Sequence, residues 1–304
     1  IPDMGNVDIV LAPTAENALS VLEQNANAVH VFSGIDAYPV VYTTFKKATA
    51  KRLRVINMLE PDEWAGVKGW LRRAKYTLHR LRYGSRINAI LAIGETGVRV
   101  YRNAGFNKMR IFQWGYFTKP STITSAEEPL SLKPRVLFVG RLDENKNSRL
   151  LIDTMRPMMD DVECLTIVGD WILHEEIERK IQDIPNARYL GNMPNNKVHE
   201  VMQQHDILVL PSNYDGWGAV VNEALQNGMR VVVSENCGAS VLVDGKKRGE
   251  VFLFNNKERN LEKVLKRWIA KGALTLKERI EMADWANSHI SGEAAADYLE
   301  NIVE

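Results

Sequence analysis

Apolar positions in this chain follow two rhythms that alternate along its length. One is a short, nearly unbroken apolar run rich in β-branched residues, the pattern of a strand buried on both faces. The other is a longer stretch whose apolar residues recur every three or four positions, the pattern of an amphipathic helix. In the first part, strands are predicted at "VDIVLAP" (7–13), "AVHVFSG" (28–34), "RLRVINML" (52–59), "NAILAIG" (88–94) and "KMRIFQW" (108–114). Helices are predicted around 14–26, 37–50, 68–84 and 95–105. The stretch "TKPSTITSAEEPLSLKP" (118–134) breaks this rhythm with three prolines and few large apolar residues. A second alternation follows, with strands "RVLFVG", "ECLTIVG", "ARYLG", "ILVLPS", "RVVVS" and "EVFLF". Its helices fall near 146–159, 172–183, 196–205, 217–227 and 257–271, with two more at about 274–289 and 293–303. Alternating strands and helices imply parallel sheets wrapped by helices. The expected organisation is an α/β domain over 1–120, a linker at 121–134, a second α/β domain over 135–285 and a terminal helical segment at 286–304.

Composition narrows the class. A chain of 304 residues, 45% hydrophobic and 25% charged, has room for two cores and the make-up of an ordinary globular protein. Its net charge of +1 gives no global attraction to nucleic acid. Cys164 and Cys237 lie beside apolar strand sequence and read as reduced core thiols, which fits a cytoplasmic protein. No apolar run reaches the roughly 18 residues that a membrane-spanning helix needs, and no signal peptide is evident.

The candidate chemistry lies in two segments of the second domain. In "LVLPSNYDGWGAVVNEALQNGMRVVVSENCGAS" (208–240), Trp217, Val220, Val221, Ala224 and Leu225 are spaced as one face of a helix that Gly228 would end. The preceding loop then carries the chain from a strand's C-terminal end to a helix N-terminus, whose free N–H groups and dipole favour anions. Gly216 and Gly218 would allow close approach of a ligand to the backbone. Glu223 is read on the polar side of that helix, beside Asn222 and Gln226, where its carboxylate could accept from both hydroxyls of a ribose. Asp215 would face the phosphates. The same two residues also fit plainer roles, an N-cap and a solvated helix carboxylate. In "RVLFVGRLDENKNSRLLIDTM" (135–155), a strand ends at Gly140, Arg141 follows, and Lys146 sits at the next helix entry. A guanidinium and an ammonium at a strand end suit a diphosphate, though ordinary surface cations fit there too. Both segments sit at strand C-termini, which a parallel sheet places on one edge.

"VGRLDENKN" paired with "PSNYDGWGAVVNEALQNGMRVVVSENCGA" resembles retaining glycosyltransferase family four, of GT-B fold. "IVGD" (167–170) and the segment 187–212 fit the same pattern. The resemblance covers about 135–250 and extends to the first domain through "AVHVFSGIDAYP" and "INMLEPDEWAGVKGWLRRAKY". It implies two Rossmann-like, doubly wound domains with a cleft between them, and a terminal helix returning to the first. It further implies transfer of a hexose from a UDP- or GDP-sugar to an acceptor hydroxyl with retention at the anomeric carbon. The setting that the resemblance implies is cell-surface polysaccharide or glycolipid synthesis. By the same resemblance, Arg141 and Lys146 bind the donor diphosphate and Glu223 holds the ribose. Asp215, one methylene shorter than the family's glutamate, faces the donor sugar. Gly140, Gly169, Gly216, Trp217, Gly218 and Val220 line the donor, and Leu190 to Met193 meet its base. No metal or other cofactor is implied, since cationic side chains neutralise the leaving group. Other readings are a nucleotide-sugar epimerase of the same fold and a non-catalytic nucleotide or sugar binder.

The first domain offers fewer candidates. A glycine-rich loop after the family's first strand is expected to precede Ile1. His30, at a strand end, is the acceptor-side catalytic candidate, and it also fits an ordinary core histidine. Ser33 and Glu60 are candidate acceptor contacts. From Val67 to Gly94 there is no acidic residue, while Lys68, Arg72, Arg73, Lys75, Arg80, Arg82 and Arg86 interleave with Trp70, Leu71, Leu78, Leu81 and Tyr83. A basic amphipathic helix suits the anionic inner face of a membrane as well as a solvated outer face. Peripheral docking there would fit a sugar or lipid-linked sugar acceptor.

Overall fold

The computed structural model describes residues 7–11, 13–60, 66–124 and 131–304, with 66–68 as backbone only. Contacts divide the chain after Trp114 into two compact units. The division precedes the expected boundary at 120. Within the second unit, Ser121 Oγ bonds Asn227, the Ser121 amide bonds Asn287, and Gln203 bonds both Thr122 O and the Thr124 amide. Residues 125–130 of the expected linker lie outside the described residues.

The first unit carries helix α1 (Ala15–Gln24), then β1 (Val29–Ser33), α2 (Pro39–Ala50), β2 (Arg54–Leu59), α3 (Gly66–Tyr83), β3 (Ala89–Ile93), α4 (Gly94–Asn103) and β4 (Ile111–Trp114). The sheet is parallel with order β1-β2-β3-β4. Right-handed crossovers between strands in sequence order place α2, α3 and α4 on one face. Every residue of β3 is buried, as its unbroken apolar run requires. No strand forms among the described residues of the stretch expected at 7–13. Val7, Val10 and Leu11 are exposed and pair with no neighbour among the described residues. An apolar run becomes a strand only where an adjacent strand takes its backbone hydrogen bonds.

The second unit runs β5 (Arg135–Val139), α5 (Ser148–Met155), β6 (Cys164–Val168), α6 (His174–Ile181), β7 (Ala187–Tyr189), α7 (Asn195–Gln203), β8 (Ile207–Leu210), α8 (Val220–Gln226), β9 (Arg230–Ser234), β10 (Gly249–Phe252), α9 (Lys257–Ile269), α10 (Leu276–His289) and α11 (Gly292–Val303). All six strands are parallel, in the order β10-β9-β8-β5-β6-β7. The chain winds outward from β5 to β7, then returns to the other side of β5 with β8. Crevices at the C-terminal ends of such a switch point are where open α/β sheets bind ligands. Helix α10 continues past the boundary expected at 285, and residues 286–304 cluster with the second unit.

The opposite edge of this sheet is fastened by a buried charge network. Asp206, fully buried, accepts from the amides of Arg135 (2.7 Å) and Leu274 (3.0 Å) and from the Arg279 guanidinium (2.6 Å). Its neighbour His205 bonds Val201 O and Thr166 Oγ1. Burial pulls the His205 imidazole down to about 4. Since that value lies below the ordinary one near 6.5, the folded state binds fewer protons than the unfolded state. The stabilising contribution is present above pH ~6.5 and is lost as pH falls toward 4, by on the order of 3 kcal/mol. The urea midpoint should therefore drop between about pH 7 and pH 5, and His205→Gln should flatten that part of the profile. An equally steep fall in the variant would exclude His205 as its source.

Candidate active site

Three loops meet at the C-terminal edge of the second sheet. After β5, the Gly140 amide donates to Val168 O and that of Leu142 to Asp170 O, so this loop is anchored to the one following β6. Asp143 Oδ1 accepts from the Lys146 amide (2.8 Å), a local turn that aims Lys146 across the edge. Gly169 makes the junction feasible. Its φ is +133°, and a Cβ there would lie 1.9 Å from Gly140 O. Its amide donates to Gly191 O, and Tyr189 Oη donates to its carbonyl. Leu190, whose amide bonds Ile167 O, is exposed just beyond β7, and Met193 is half-buried.

The loop after β8 is stitched to the β5 loop by asparagines. Asn145 Nδ2 donates to Tyr214 O (2.7 Å), its Oδ1 accepts from the Tyr214 amide, and its carbonyl accepts from the Asn213 amide. Asn213 Nδ2 donates to Glu144 O. Asp215 bridges to Cys237, exchanging backbone bonds with Asn236 and Gly238. Held at both ends, the loop presents Asp215 to Lys146, and the two side chains form a half-buried ion pair. Burial, reinforced by the Asp215 charge, pushes the Cys237 thiol far up, so it remains a neutral core group.

Several site expectations change here. The helix begins at Val220, not at Trp217, because Gly218 adopts φ +89° and turns the chain first. A Cβ at that position would meet Cys237 Sγ at 2.7 Å, so Gly218 serves internal packing. Trp217 is buried with its Nε1 donating to Asn222 Oδ1, and its ring meets Gly115 and Tyr116. Its side chain therefore packs inside the unit and is not exposed at the sheet edge. Gly216 is also buried, while Val220 is half-buried at the helix start. The supposed polar side of α8 is interior as well. Asn222 donates to Tyr116 O, Gln226 pairs with Thr118, and both are fully buried.

Glu223, in the first turn of α8, is half-buried. Burial raises its carboxyl above the usual range, partly offset by nearby His199. Among the described residues no donor hydrogen-bonds its carboxylate. Arg141 is exposed, pairs with Asp143 at 3.2 Å and stands over the Trp171 ring. Sequence reading missed Asn145, Asn213 and His199, although "ENKN" and "SNY" carried a signal in polar residues able to bridge loops.

In the first unit, Ser33 ends β1 and Glu60 follows β2, both exposed at the C-terminal edge of that sheet. His30 is at the start of β1, opposite Val55. That is the other end of the strand, so His30 does not join Ser33 and Glu60. Its Nε2 is buried without a partner, and burial lowers its pKa, as for a core histidine.

The β5/β8 switch point of this doubly wound sheet thus brings together an exposed guanidinium, an ion-paired lysine and aspartate, and a glutamate that no donor among the described residues reaches. The profile described as "Glycosyl transferases group 1" matches residues 123–284, more than half of the chain. The chain belongs to that family. It is 28% identical over 124 residues to the sulfoquinovosyl transferase SQD2 of Arabidopsis thaliana, covering 40% of this chain and 24% of that protein. The curated relatives it matches are thus spanned only in minor part. Among solved structures it resembles the lipopolysaccharide outer core galactosyltransferase WaaB in its apo form, with TM-score 0.71, 14% identity, and coverage of 95% and 78% of the two chains. HepE of Anabaena in complex with UDP and glucose gives TM-score 0.58 at 16% identity, covering 92% and 88%. These likenesses establish the GT-B fold of two parallel-sheet α/β domains.

Because the Gly169 Cβ position is occupied by a carbonyl, Gly169→Ala should cost more than about 2 kcal/mol. Gly191→Ala, with nothing within 4 Å of the added carbon, should cost about 1 kcal/mol. Urea titration of both variants checks this, and equal losses would refute the close approach.

Proposed function

We propose that this chain is a retaining hexosyltransferase, moving a sugar from a UDP- or GDP-sugar to an acceptor hydroxyl in cell-surface polysaccharide or glycolipid synthesis. The observation that carries the reading is the arrangement at the β5/β8 switch point, where Lys146 meets Asp215 and Glu223 waits unpaired one helical segment away. Glu223 accepts from the ribose hydroxyls. The Lys146 ammonium and the Arg141 guanidinium take the diphosphate oxygens, whose charge grows as the anomeric C–O bond breaks. The acceptor hydroxyl attacks from the face that the leaving group vacates. Asp215, released from Lys146 as the phosphates arrive, accepts from a hydroxyl of the transferred sugar. The backbone beyond β7, from Leu190 to Met193, takes the base. HepE, whose solved complex holds UDP and glucose, supports this class of donor. Two cations supply the charge that a metal would otherwise bring, so turnover is expected to be unchanged by a chelator.

The acceptor is a sugar or lipid-linked sugar, met at the cytoplasmic face of a membrane. No described helix is long and apolar enough to cross a bilayer, and the association proposed is peripheral, through α3. Trp70, Leu71, Leu78 and Leu81 are 57–67% exposed on that helix. Such side chains on a basic helix favour an anionic surface. The side chain of Lys68, counted in the basic stretch, lies outside the described residues.

Thermal shifts with UDP, GDP, ADP and CMP test the donor site. One diphosphate at 100 times its Kd should add roughly 2.7 kcal/mol of stability, and Glu223→Ala should abolish that gain. No shift with any nucleotide would sink the donor assignment. Because the Glu223 carboxyl sits above the usual range, nucleotide affinity should weaken at higher pH than an ordinary carboxylate allows, as acid neutralises the hydroxyl acceptor. Asp215→Asn frees Lys146, so it should bind the nucleoside diphosphate at least as tightly while transfer falls by about a hundredfold. Weaker nucleotide binding in that variant would contradict the proposed exchange.

A further inference from the structure

The first unit holds a groove between α3 and α4 that the donor chemistry does not use. Its volume is about 590 Å³. Arg73 and Thr77 of α3 face Thr96, Arg99 and Asn103 of α4 across a floor that includes buried Tyr76 and Val100. No carboxylate is among the lining residues. One end is tied by Arg80, whose Nε donates to Gly105 O at 3.1 Å just beyond α4. Arg99 reaches Thr96 only at 3.4 Å, so its guanidinium keeps donors to offer.

The groove adjoins the apolar face of α3. At helical periodicity Trp70, Leu71, Ala74, Leu78 and Leu81 form one stripe, with Arg73 and Thr77 along the edge nearer the groove. Lys75 and Arg82 flank the other edge, where Lys75 pairs with Asp36 at 2.8 Å. An apolar stripe beside a cationic groove matches the two ends of an anionic lipid, acyl chain and phosphate. A soluble anion would need only the groove and would leave the stripe unexplained.

We propose that the α3–α4 groove binds the phosphate of an anionic phospholipid while the α3 stripe enters the acyl boundary. Arg73 and Arg99 clamp the phosphate oxygens, and Thr77, Thr96 and Asn103 offer polar contacts to the headgroup. This rests on the peripheral-membrane part of the proposed function and is independent of the donor site.

The test is calorimetric titration of the full chain with dihexanoyl phosphatidylglycerol below its aggregation concentration. Dihexanoyl phosphatidylcholine and inorganic phosphate serve as comparison ligands, and long-chain phosphatidylglycerol vesicles are sedimented in parallel. Saturable binding of the anionic short-chain lipid is expected. Arg99→Gln should weaken it by about tenfold or more. Lys75→Gln/Arg82→Gln should leave it within about twofold, while lowering vesicle binding through the general field by roughly tenfold. Inorganic phosphate binding as tightly as the lipid would overturn the lipid assignment. Equal losses in the two variants, or vesicle binding without any short-chain binding, would overturn the groove as a site. A nucleotide thermal shift run on the same samples separates these outcomes from failure of the transferase reading, since Arg99→Gln should leave it unchanged.

Discussion

The carboxylate of Asp206 is the fixed point of the second unit. It is fully buried and accepts from the start of β5, the Leu274 amide ahead of α10 and the Arg279 guanidinium. Burying both charges is costly, and removing either would strand the other in a low-dielectric interior. That asymmetry makes the arrangement specific, since no shifted register of β5 against β8 gives Asp206 the same donors. The two central strands are therefore locked side by side from their N-terminal ends. Strand geometry carries the lock across the sheet, about 3.3 Å per residue, to the edge where they release their loops. Lys146 and Asp215 meet because the strands beneath them cannot slide.

The same logic organises the loops themselves. Asn145 bonds the second loop through its side chain and its backbone, and Gly169 sits against Gly140 where no side chain could. Below them, Asn222, Gln226 and Asn227 bond the segment 116–121. Buried amides of this kind are expensive unless satisfied. Here each has a partner on another segment, so the short helix α8 is held by polar contacts as well as by Val221 and Leu225. A seven-residue helix has little stability of its own, and Glu223 depends on that external support for its position.

Much of this was legible in the sequence. Parallel strands buried on both faces produce unbroken apolar runs, and the fully buried β3, β6, β8 and β9 announced themselves by that rule. The run at 7–13 misled because apolar content cannot reveal whether a neighbouring strand exists. Trp217 was assigned to α8 because the spacing of apolar residues continues through a turn that only the backbone of Gly218 discloses. Asn222 and Gln226 looked like a solvated face because their partners, Tyr116 and Thr118, are more than a hundred positions away. His30 lay at a strand end, but a sequence does not show on its face which end of a short strand is the functional one. Residues governed by local periodicity or by motif were legible. Those whose role depends on a distant partner were not.

The two acidic residues that first marked the site turn out to be different in kind. Asp215 already has its counterion, and the Lys146 ammonium is shared before any ligand arrives. Glu223 has no donor among the described residues, and burial makes its charge uncomfortable. A ligand bearing hydroxyls relieves the second, because each new bond satisfies a carboxylate that water reaches poorly. A ligand bearing phosphate disturbs the first, because it competes with Asp215 for Lys146. As a proposed donor site it is therefore poised unevenly, with an unsatisfied carboxylate at Glu223 and an internal ion pair at Lys146 and Asp215. Under the proposed function, donor binding opens that pair and leaves Asp215 with an unmet charge beside the sugar. In that proposal the carboxylate is committed to the sugar only when the diphosphate is in place, which would link recognition of one end of the donor to positioning of the other.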